Sequence, residues 1–426
     1  MAVIPKQRRS LVSSQARIQA PWVKVTIGKY TFGVFAETPK GAKDANGFYS
    51  QFSVQYPSYV TKLNIIKING QVNQYTLDIS YPVRSGDDPN LIEKILSSVT
   101  RTRKIIFSYG DATNPAYAYK DEEAIITGVT QNFALESSSI NYTIKAVSGC
   151  ALAASGSFNF VNSGKKKPSK EIKAVLNNPT YGLRSLFTGM TDANINKLID
   201  GTDQEVELDS KLNTSPLDYI NYLVSCMIPS GSSIDSRSKD IYILTLHDET
   251  VFDTSFSDAS VQGGPYFKVT RVSVDTMARA DAYEIDIGIG TSTIVLSFSI
   301  ENNENFSMLY DYNAELSTEQ YSSHINDQGK LEQTFAPMFT SGNNRFITRP
   351  EDRTWFTKIT KYPISASIVI QGLLRPAHLM QYVRLNVVFP GGNSHISSGL
   401  YIVTKQVDDI SNTGYRTTLS LTRISD

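Results

Sequence analysis

Two distant segments of the sequence contain the same order of predicted elements, and this internal repeat limits the possible folds more than any other feature. In each segment a strand leads to a short helix, a second strand and a long hairpin. The four elements lie at 75–83, 89–99, 104–110 and 124–147 in the first segment and at 365–371, 375–380, 382–391 and 399–424 in the second. A proline opens the predicted helix in both copies. Because few residues are identical, the repeat is one of architecture, and it predicts two similar units in one chain.

The local pattern of the chain is typical of β-structure. Tyr, Thr, Val, Ile and Phe recur in short alternating runs that end at Gly, Asn, Asp or Pro. Asn69-Gly70 separates two such runs and predicts a tight hairpin turn. Between the repeats, Ser215-Pro216 precedes an amphipathic stripe, which indicates a helix with a serine N-cap. The predicted fold class is therefore mainly β with short helices (α+β), with two β-barrel domains and a small α+β insertion.

The repeat and the local composition together predict how the chain is divided. We expect an N-terminal arm (1–20), a first β-barrel domain (21–153), a linker (154–170), a small α+β insertion domain (171–265), the start of a second β-barrel domain (266–312), a polar extended insertion (313–353) and the completion of the second barrel (354–426). The linker is predicted because the segment is rich in Ser, Gly, Asn and Lys. Its lysine triplet at 165–167 is expected in a solvated loop, and contact with DNA or an acidic protein is the alternative.

The charge balance restricts the possible partners. The 426 residues include 41 basic and 41 acidic residues, so the formal net charge is zero. A protein that grips nucleic acid usually has a basic excess, because neutralising phosphates supplies most of the affinity. A neutral wall along which DNA slides is compatible with this balance. The first residues do not resemble a signal peptide, and no apolar run suits a membrane helix, so we expect synthesis in the cytoplasm and a soluble chain until assembly.

The sequence shows no arrangement of residues typical of catalysis or metal binding. The four histidines (247, 324, 378 and 395) lack the spacing of paired metal ligands. Three acidic pairs are expected at helix starts and turns: Asp87-Asp88, Glu122-Glu123 and Asp408-Asp409. Cys150 and Cys226 are expected as buried free thiols, with a single disulfide as the alternative. We therefore predict no catalytic, cofactor-binding or metal-binding residue, no cofactor, and a protein that is not an enzyme.

Three short motifs, at Gln71–Ile79, Gly86–Asn90 and Tyr109–Asp111, resemble the first tube-like domain of one family of proteins, the tail and baseplate hub proteins of long-tailed bacteriophages. The motifs similar to its central region are Tyr283–Gly288, Val295–Phe298 and Leu309–Tyr312, and those similar to its second tube-like domain are Ser398–Val403, Ile410-Ser411 and Thr417–Leu419. The order and spacing of the motifs cover most of the chain apart from the N-terminal arm and roughly 155–265.

The resemblance implies a structural role in the virion. It implies two tail-tube-like β-barrel domains and a homotrimer with pseudo-sixfold symmetry that links the hexameric tail tube to the central spike or tail-tip protein. Tape measure and wedge proteins are further candidate partners. Genomic DNA would pass through the channel during ejection without specific binding, and we expect no membrane insertion. The implied location is the tail tip or baseplate, after synthesis in the host cytoplasm.

A second class of function is open at this point, namely a β-rich receptor- or carbohydrate-binding tail appendage. The chain contains 23 tyrosines, a residue type that stacks well on sugars. The internal repeat and the absence of fibrous repeats favour the hub. The oligomeric state distinguishes the two, because a hub is expected to be a trimer and an appendage a monomer or a filament.

Overall fold

The computed structural model of the chain describes residues 21–35, 56–57, 59–83, 85–98, 104–111, 118–134, 138–231, 241–248, 250–251, 264–272, 282–288, 295–302, 319–325, 331–337, 364–371, 379, 382–388, 393–411 and 414–425. The predicted N-terminal arm and the predicted helix at 375–380, apart from Leu379, lie outside these residues.

The first repeat and the strands before it form a segment that we call the first unit. Its elements are β1 (Pro21–Ile27), β2 (Tyr30–Phe35), β3 (Tyr56–Pro57), β4 (Val60–Ile68), β5 (Gln74–Pro82), α1 (Leu91–Ser98), β6 (Lys104–Asp111), β7 (Ala118–Ala134) and β8 (Ser139–Ser148). The predicted turn at Asn69-Gly70 connects β4 to β5. Gly70 has a φ of +70° there, a backbone conformation that favours glycine.

The segment between the repeats, which we call the insertion, contains most of the helices. Its elements are β9 (Phe158–Phe160), β10 (Lys165–Lys166), α2 (Pro168–Asn177), α3 (Leu183–Leu186), α4 (Ile195–Leu198), β11 (Val206–Glu207), β12 (Lys211–Thr214), α5 (Pro216–Ser225), β13 (Ile241–His247), β14 (Thr250–Val251) and β15 (Tyr266–Val272), with 3-10 turns at Ala151–Ala154 and Pro179–Tyr181. The predicted N-cap of α5 is confirmed, since the Ser215 hydroxyl accepts a hydrogen bond from the Asp218 amide.

The second repeat forms the second unit. Its elements are β16 (Tyr283–Gly288), β17 (Val295–Asn302), β18 (Glu319–Ile325), β19 (Leu331–Pro337), β20 (Ile364–Gln371), β21 (Tyr382–Val388), β22 (Gly399–Ser411) and β23 (Gly414–Ser425). β18 and β19 pair as an antiparallel hairpin within the segment that we expected to be polar and extended. The predicted long hairpin is β22–β23, which turns between Ser411 and Gly414.

The two units share one order of hydrogen-bonded strands. In the first unit the order is β4-β5-β8-β7-β6, and in the second it is β17-β20-β23-β22-β21. Every neighbouring pair in both orders is antiparallel. The predicted repeat is therefore confirmed at the level of strand order, although the two amino-acid sequences differ at most positions.

Most of the strands belong to one continuous sheet. β4 of the first unit pairs with β22 of the second, so the order runs β17-β20-β23-β22-β4-β5-β8-β7-β6-β1-β2-β3. The described strands of the two units, apart from β18 and β19, thus belong to one sheet, and their hydrogen-bonded order does not itself trace the two closed barrels that we expected. The expectation that the chain is mainly β with short helices is confirmed. Among the described residues, no helix has the length and apolarity needed to cross a membrane.

Three clusters of buried apolar side chains lie one in each segment. Alternate residues of the strands face inwards, as the pleat requires, and β5 buries every second residue from Tyr75 to Tyr81. The insertion has its own cluster around α2 and α5, and the second unit has a smaller one around β20 and β22. The cluster of the first unit also contains Ile410 and Tyr415, which belong to the second unit.

The segment 154–170 is more regular than the predicted linker. It contains β9, β10 and the start of α2, and the ring of Phe160 stacks on that of Tyr219 with centroids 3.8 Å apart. The polar composition was misleading because β9 alternates, which leaves Asn159 exposed and Phe160 buried. The lysine triplet lies in β10 and just after it. Lys166 pairs with Glu171 at 3.4 Å, and the Lys167 ammonium donates to the Gly201 carbonyl at 2.6 Å.

Candidate functional site

The pairing of β4 with β22, which we call the join, fixes the two units to each other. Seven residue pairs run antiparallel from Lys62 opposite Ser411 to Ile68 opposite Lys405. Ile410 lies opposite Leu63, and both side chains are almost fully buried. Because Ile410 belongs to the apolar cluster of the first unit, the second unit completes the core of its neighbour. The inward-facing residues at the join are therefore buried as deeply as those inside either unit.

A buried ion pair lies beside the join. The Lys67 ammonium on β4 donates to the Glu122 carboxylate on β7 at 2.7 Å, and the Tyr109 hydroxyl on β6 donates to the same oxygen at 3.0 Å. The Lys67 and Glu122 side chains are 4% and 0% exposed. Two charges can be buried at this depth because each has a close partner of opposite sign. The contact connects β4 at the join to β7, from which it is separated by β5 and β8 in the strand order.

Asp408 on β22 is a second buried carboxylate near the join. The Thr417 hydroxyl donates to it at 2.7 Å and the Gln406 amide at 2.6 Å. Burial raises the pKa of Asp408, while the Thr417 hydrogen bond, the positive charge of Lys67 and the Gln406 hydrogen bond act in the opposite direction. Lys67 and Gln406 are directly opposite each other across the join. The polar groups of the two units are therefore electrostatically coupled.

The prediction for the acidic pairs was correct for one and wrong for two. Asp88 lies at the start of α1, where it accepts from the Asn90 amide at 3.0 Å and from Lys94. Glu122 and Asp408, by contrast, lie inside β7 and β22. The prediction failed because adjacent residues of a strand face opposite sides, so one acid of each pair faces the interior.

The outer acid of each strand pair makes an ion pair with a neighbouring strand. Glu123 lies 2.6 Å from Lys104 of β6, and Asp409 lies 3.0 Å from Lys62 of β4. All four side chains are well exposed, so each contact contributes little to stability. The same arrangement, a buried inner acid and a paired outer acid, thus occurs in both units.

A third buried carboxylate, Asp248, attaches the insertion to the first unit. It follows β13 and precedes β14, which pairs with β7. Its Oδ2 atom accepts from the Asn73 amide at 2.7 Å, from the Tyr75 hydroxyl at 3.3 Å and from the Ser148 hydroxyl. These donors lie on or beside β5 and β8, so one side chain of the insertion satisfies buried polar groups of the first unit.

Of the other residues considered from the sequence, the structure describes the side chains of His247, His395, Cys150 and Cys226. His247 is buried and stacks on Tyr266, and its Nε2 atom lies 2.8 Å from the Thr245 hydroxyl. His395 lies between β21 and β22, with its Nδ1 atom 2.6 Å from the Ser397 hydroxyl. The buried free thiols of Cys150 and Cys226 are confirmed. Over the part of the chain that the structure describes, no three His, Cys, Asp or Glu residues are grouped as metal ligands would be.

Comparisons with known proteins find similarity in structure and not in sequence. No protein-family model and no curated protein matches the chain. A 43 kDa tail protein of prophage MuSo2 from Shewanella oneidensis aligns with a TM-score of 0.48 and 9% identity over 95% of this chain and 98% of that one. A tail protein from Neisseria meningitidis aligns with a TM-score of 0.47 and 9% identity over 95% and 96%.

Proteins of secretion machines are also among the similar structures. An E. coli component of the type VI secretion system, described as similar to T4 bacteriophage tail proteins, aligns with a TM-score of 0.44 and 8% identity over 88% of this chain and 76% of that one. A chain of the Francisella PdpA–VgrG complex aligns with a TM-score of 0.47 and 8% identity over 96% and 53%. The structural neighbours of this chain thus include phage-type tail proteins, a component of the type VI secretion system and a chain of the PdpA–VgrG complex, all at low sequence identity.

Proposed function

We propose that the chain is the structural hub of a phage-type tail or baseplate, a trimeric ring with pseudo-sixfold symmetry. The observation that supports this most directly is the repeated strand order, β4-β5-β8-β7-β6 and β17-β20-β23-β22-β21, joined side by side in one sheet. Two similar units in one chain let three chains form a ring of six units. Such a ring matches a hexameric tail tube on one face and a trimeric spike or tail-tip protein on the other.

The proposed ring surrounds the passage through which genomic DNA leaves the particle. A wall that lets DNA slide must not hold phosphates, because bound phosphates release slowly at low salt. The net charge of zero fits such a wall. We expect the inner surface to be neutral or acidic and the lysines and arginines to lie on outer and intersubunit faces. The role is structural, with no catalytic step.

The insertion is the part of the chain that is not repeated, so we assign it to the threefold face towards the spike. Val161 and Leu212, beside and within the β9–β12 pair, are 75% and 64% exposed. Exposed apolar side chains on neighbouring strands are typical of a contact surface. Replacing both with glutamate should abolish binding to the purified spike protein and leave binding to the tube protein intact.

The alternative function, a receptor- or carbohydrate-binding appendage, fits the tyrosines less well. Sugar stacking requires exposed rings. The described tyrosines include seven that are buried at 2% exposure or less, and these are Tyr75, Tyr81, Tyr109, Tyr142, Tyr219, Tyr401 and Tyr415. These rings serve the cores of the three segments and not a binding face.

The mass of the purified chain in solution tests the proposal. Native mass spectrometry and light scattering should give three chain masses, and the trimer should bind purified tail tube protein. A monomer at all accessible concentrations would contradict the hub and favour the appendage, which a screen of immobilised glycans would then examine directly.

A further inference from the structure

β4 and β17, which stand first in the shared strand order of the two units, correspond residue by residue. In β4 the pairs with β5 include Leu63 opposite Leu77, and in β17 the pairs with β20 include Phe298 opposite Ile368. Each strand also has one irregularity at the same place. The register of β4 shifts between Val60 and Lys62, and that of β17 shifts between Val295 and Ser297. Adding 235 to a residue number in β4 therefore gives the equivalent position in β17.

The long hairpins of the two units correspond in the same way. The register of β7 against β8 shifts between Ile126 and Gly128, and that of β22 against β23 shifts between Val403 and Lys405. A threonine occupies both irregular positions. The Thr127 hydroxyl donates to the Lys145 carbonyl at 3.2 Å, and the Thr404 hydroxyl donates to the Ser420 carbonyl at 3.1 Å. Adding 277 to a residue number in β7 gives the equivalent position in β22.

These two correspondences identify the strands equivalent to those of the join. β7 is equivalent to β22, and β17 is equivalent to β4. The segment 405–411 of β22 pairs with β4. Its equivalent in the first unit is 128–134 of β7, and the equivalent of β4 is β17. Within the described residues, no strand pairs with 128–134 on the side away from β8, or with β17 on the side away from β20. Each chain therefore carries two edges that match the two sides of its own join.

The exposure of equivalent residues differs as this arrangement requires. Ile410 is 1% exposed at the join, whereas its equivalent, Phe133, is 64% exposed. Gln406 is 0% exposed, whereas its equivalent, Val129, is 40% exposed. Two of the three equivalents of the buried residues Gln406, Asp408 and Ile410 are thus apolar, namely Val129 and Phe133, and the third is Gln131; all three face solvent in a single chain.

We infer that β7 of one copy pairs antiparallel with β17 of the next copy, in the register of the join. This inference rests on the proposed ring and specifies its contact between chains. Phe133 then lies opposite Phe298 of the neighbour, as Ile410 lies opposite Leu63 within the chain. Asn132 lies opposite Ser299, as Asp409 lies opposite Asn64. Three such contacts alternate with three joins and close the ring.

The occupant of these edges is a second copy because the two edges are complementary to each other. In the proposed ring, the rotation that superposes the second unit on the first places β22 on β7 of the same chain. The same rotation places β4 on β17 of the neighbouring chain. β17 also has little of the usual protection of an edge strand, since its sequence, VLSFSIEN, contains neither lysine nor proline and has one charged residue, Glu301, near its end. An exposed edge of this kind is stable in a soluble protein when another strand covers it.

Disulfide cross-linking tests the pairing directly. The test variant carries both Asn132→Cys and Ser299→Cys. Because both positions are exposed, the fold should be retained. The native thiols do not compete, because both are buried. A link within one chain would leave the mass of that chain unchanged, so covalent dimers and trimers report only contacts between chains. Oxidation should therefore give covalent dimers and trimers on a non-reducing gel.

Two control variants fix the register and the chemistry. Asn132→Cys with Ser297→Cys moves one thiol by two residues on the same face of β17 and should cross-link roughly tenfold less. Asn64→Cys with Asp409→Cys lies across the join and should give a link within one chain.

Three outcomes decide the matter. A trimer that cross-links through 132 and 299 supports the inference. A trimer that does not cross-link, or that cross-links equally through 132 and 297, overturns the pairing and leaves the ring intact. A protein that is always monomeric overturns the ring and the pairing together.

Discussion

Removing the buried ammonium beside the join, with Lys67→Met, should destabilise the protein strongly. Met has a similar length and no charge, so the change isolates the electrostatic loss. The Glu122 carboxylate, 0% exposed, would lose its cationic partner at 2.7 Å and keep the Tyr109 hydrogen bond. The change also removes the positive charge that lowers the pKa of Asp408. Two buried carboxylates would then lose the positive charge of Lys67.

The expected magnitude follows from the depth of the pair. Breaking a buried ion pair by removing one partner costs about 3–5 kcal/mol. For a folding unit of about 150–250 residues each kcal/mol lowers Tm by about 2–4 °C, so the Tm should fall by roughly 6–20 °C. The double variant Lys67→Met with Glu122→Gln removes both charges and should recover a large part of this loss, because a neutral pair has a smaller desolvation cost.

Differential scanning calorimetry at neutral pH measures these differences, and the chain supplies a matched control. Lys62 lies on the same strand and pairs with Asp409 of β22 at 3.0 Å, but both side chains are more than 40% exposed. Lys62→Met should therefore cost less than about 1 kcal/mol. Equal losses for the two lysines, or a double variant no more stable than Lys67→Met, would refute the view that a buried ion pair stabilises the join.

Three further predictions concern other residues of the join and the insertion. Burial raises the pKa of Asp408, so its contribution to stability is present below the ordinary pKa of 3.8 and is lost as the pH rises through the raised pKa. The Tm advantage of Asp408→Asn over the native protein should therefore grow from pH 4 to pH 7. A difference in Tm that stays constant over this range would contradict the prediction. Asp248→Ala removes a shared acceptor, so hydrogen exchange should quicken at 241–251 and stay unchanged in β20 and β23; uniform exchange would contradict the attachment. Ile410→Ala should cost about 2–5 kcal/mol in thermal denaturation, and a loss under 1 kcal/mol would show that the join is loosely packed.

The sequence predicts the elements of this fold well wherever local chemistry determines them. Alternation, the Asn69-Gly70 turn and the Ser215 N-cap are local signals, and the corresponding strands, hairpin and helix are present. The repeated order of elements was also visible, because turns and prolines mark the ends of each element even when the residues between them differ.

The pairing between the units could not be predicted, because it is set by contacts between residues more than 300 positions apart. Nothing in the sequence around Lys67 indicates that Gln406 lies opposite it, or that Glu122 is its ionic partner. An acidic pair inside an alternating strand was the available signal. Alternation requires one of its two carboxylates to face inwards, and a buried carboxylate requires a donor or a cation.

A cryo-EM reconstruction of the purified chain tests the central claim most directly. The account predicts a closed ring of three chains in which six similar units surround a channel, and in which joins within chains alternate with β7–β17 contacts between chains. It also predicts a channel wall without a dense basic lining. A particle of one chain, or a ring in which the two units of each chain do not occupy equivalent positions, would contradict the account.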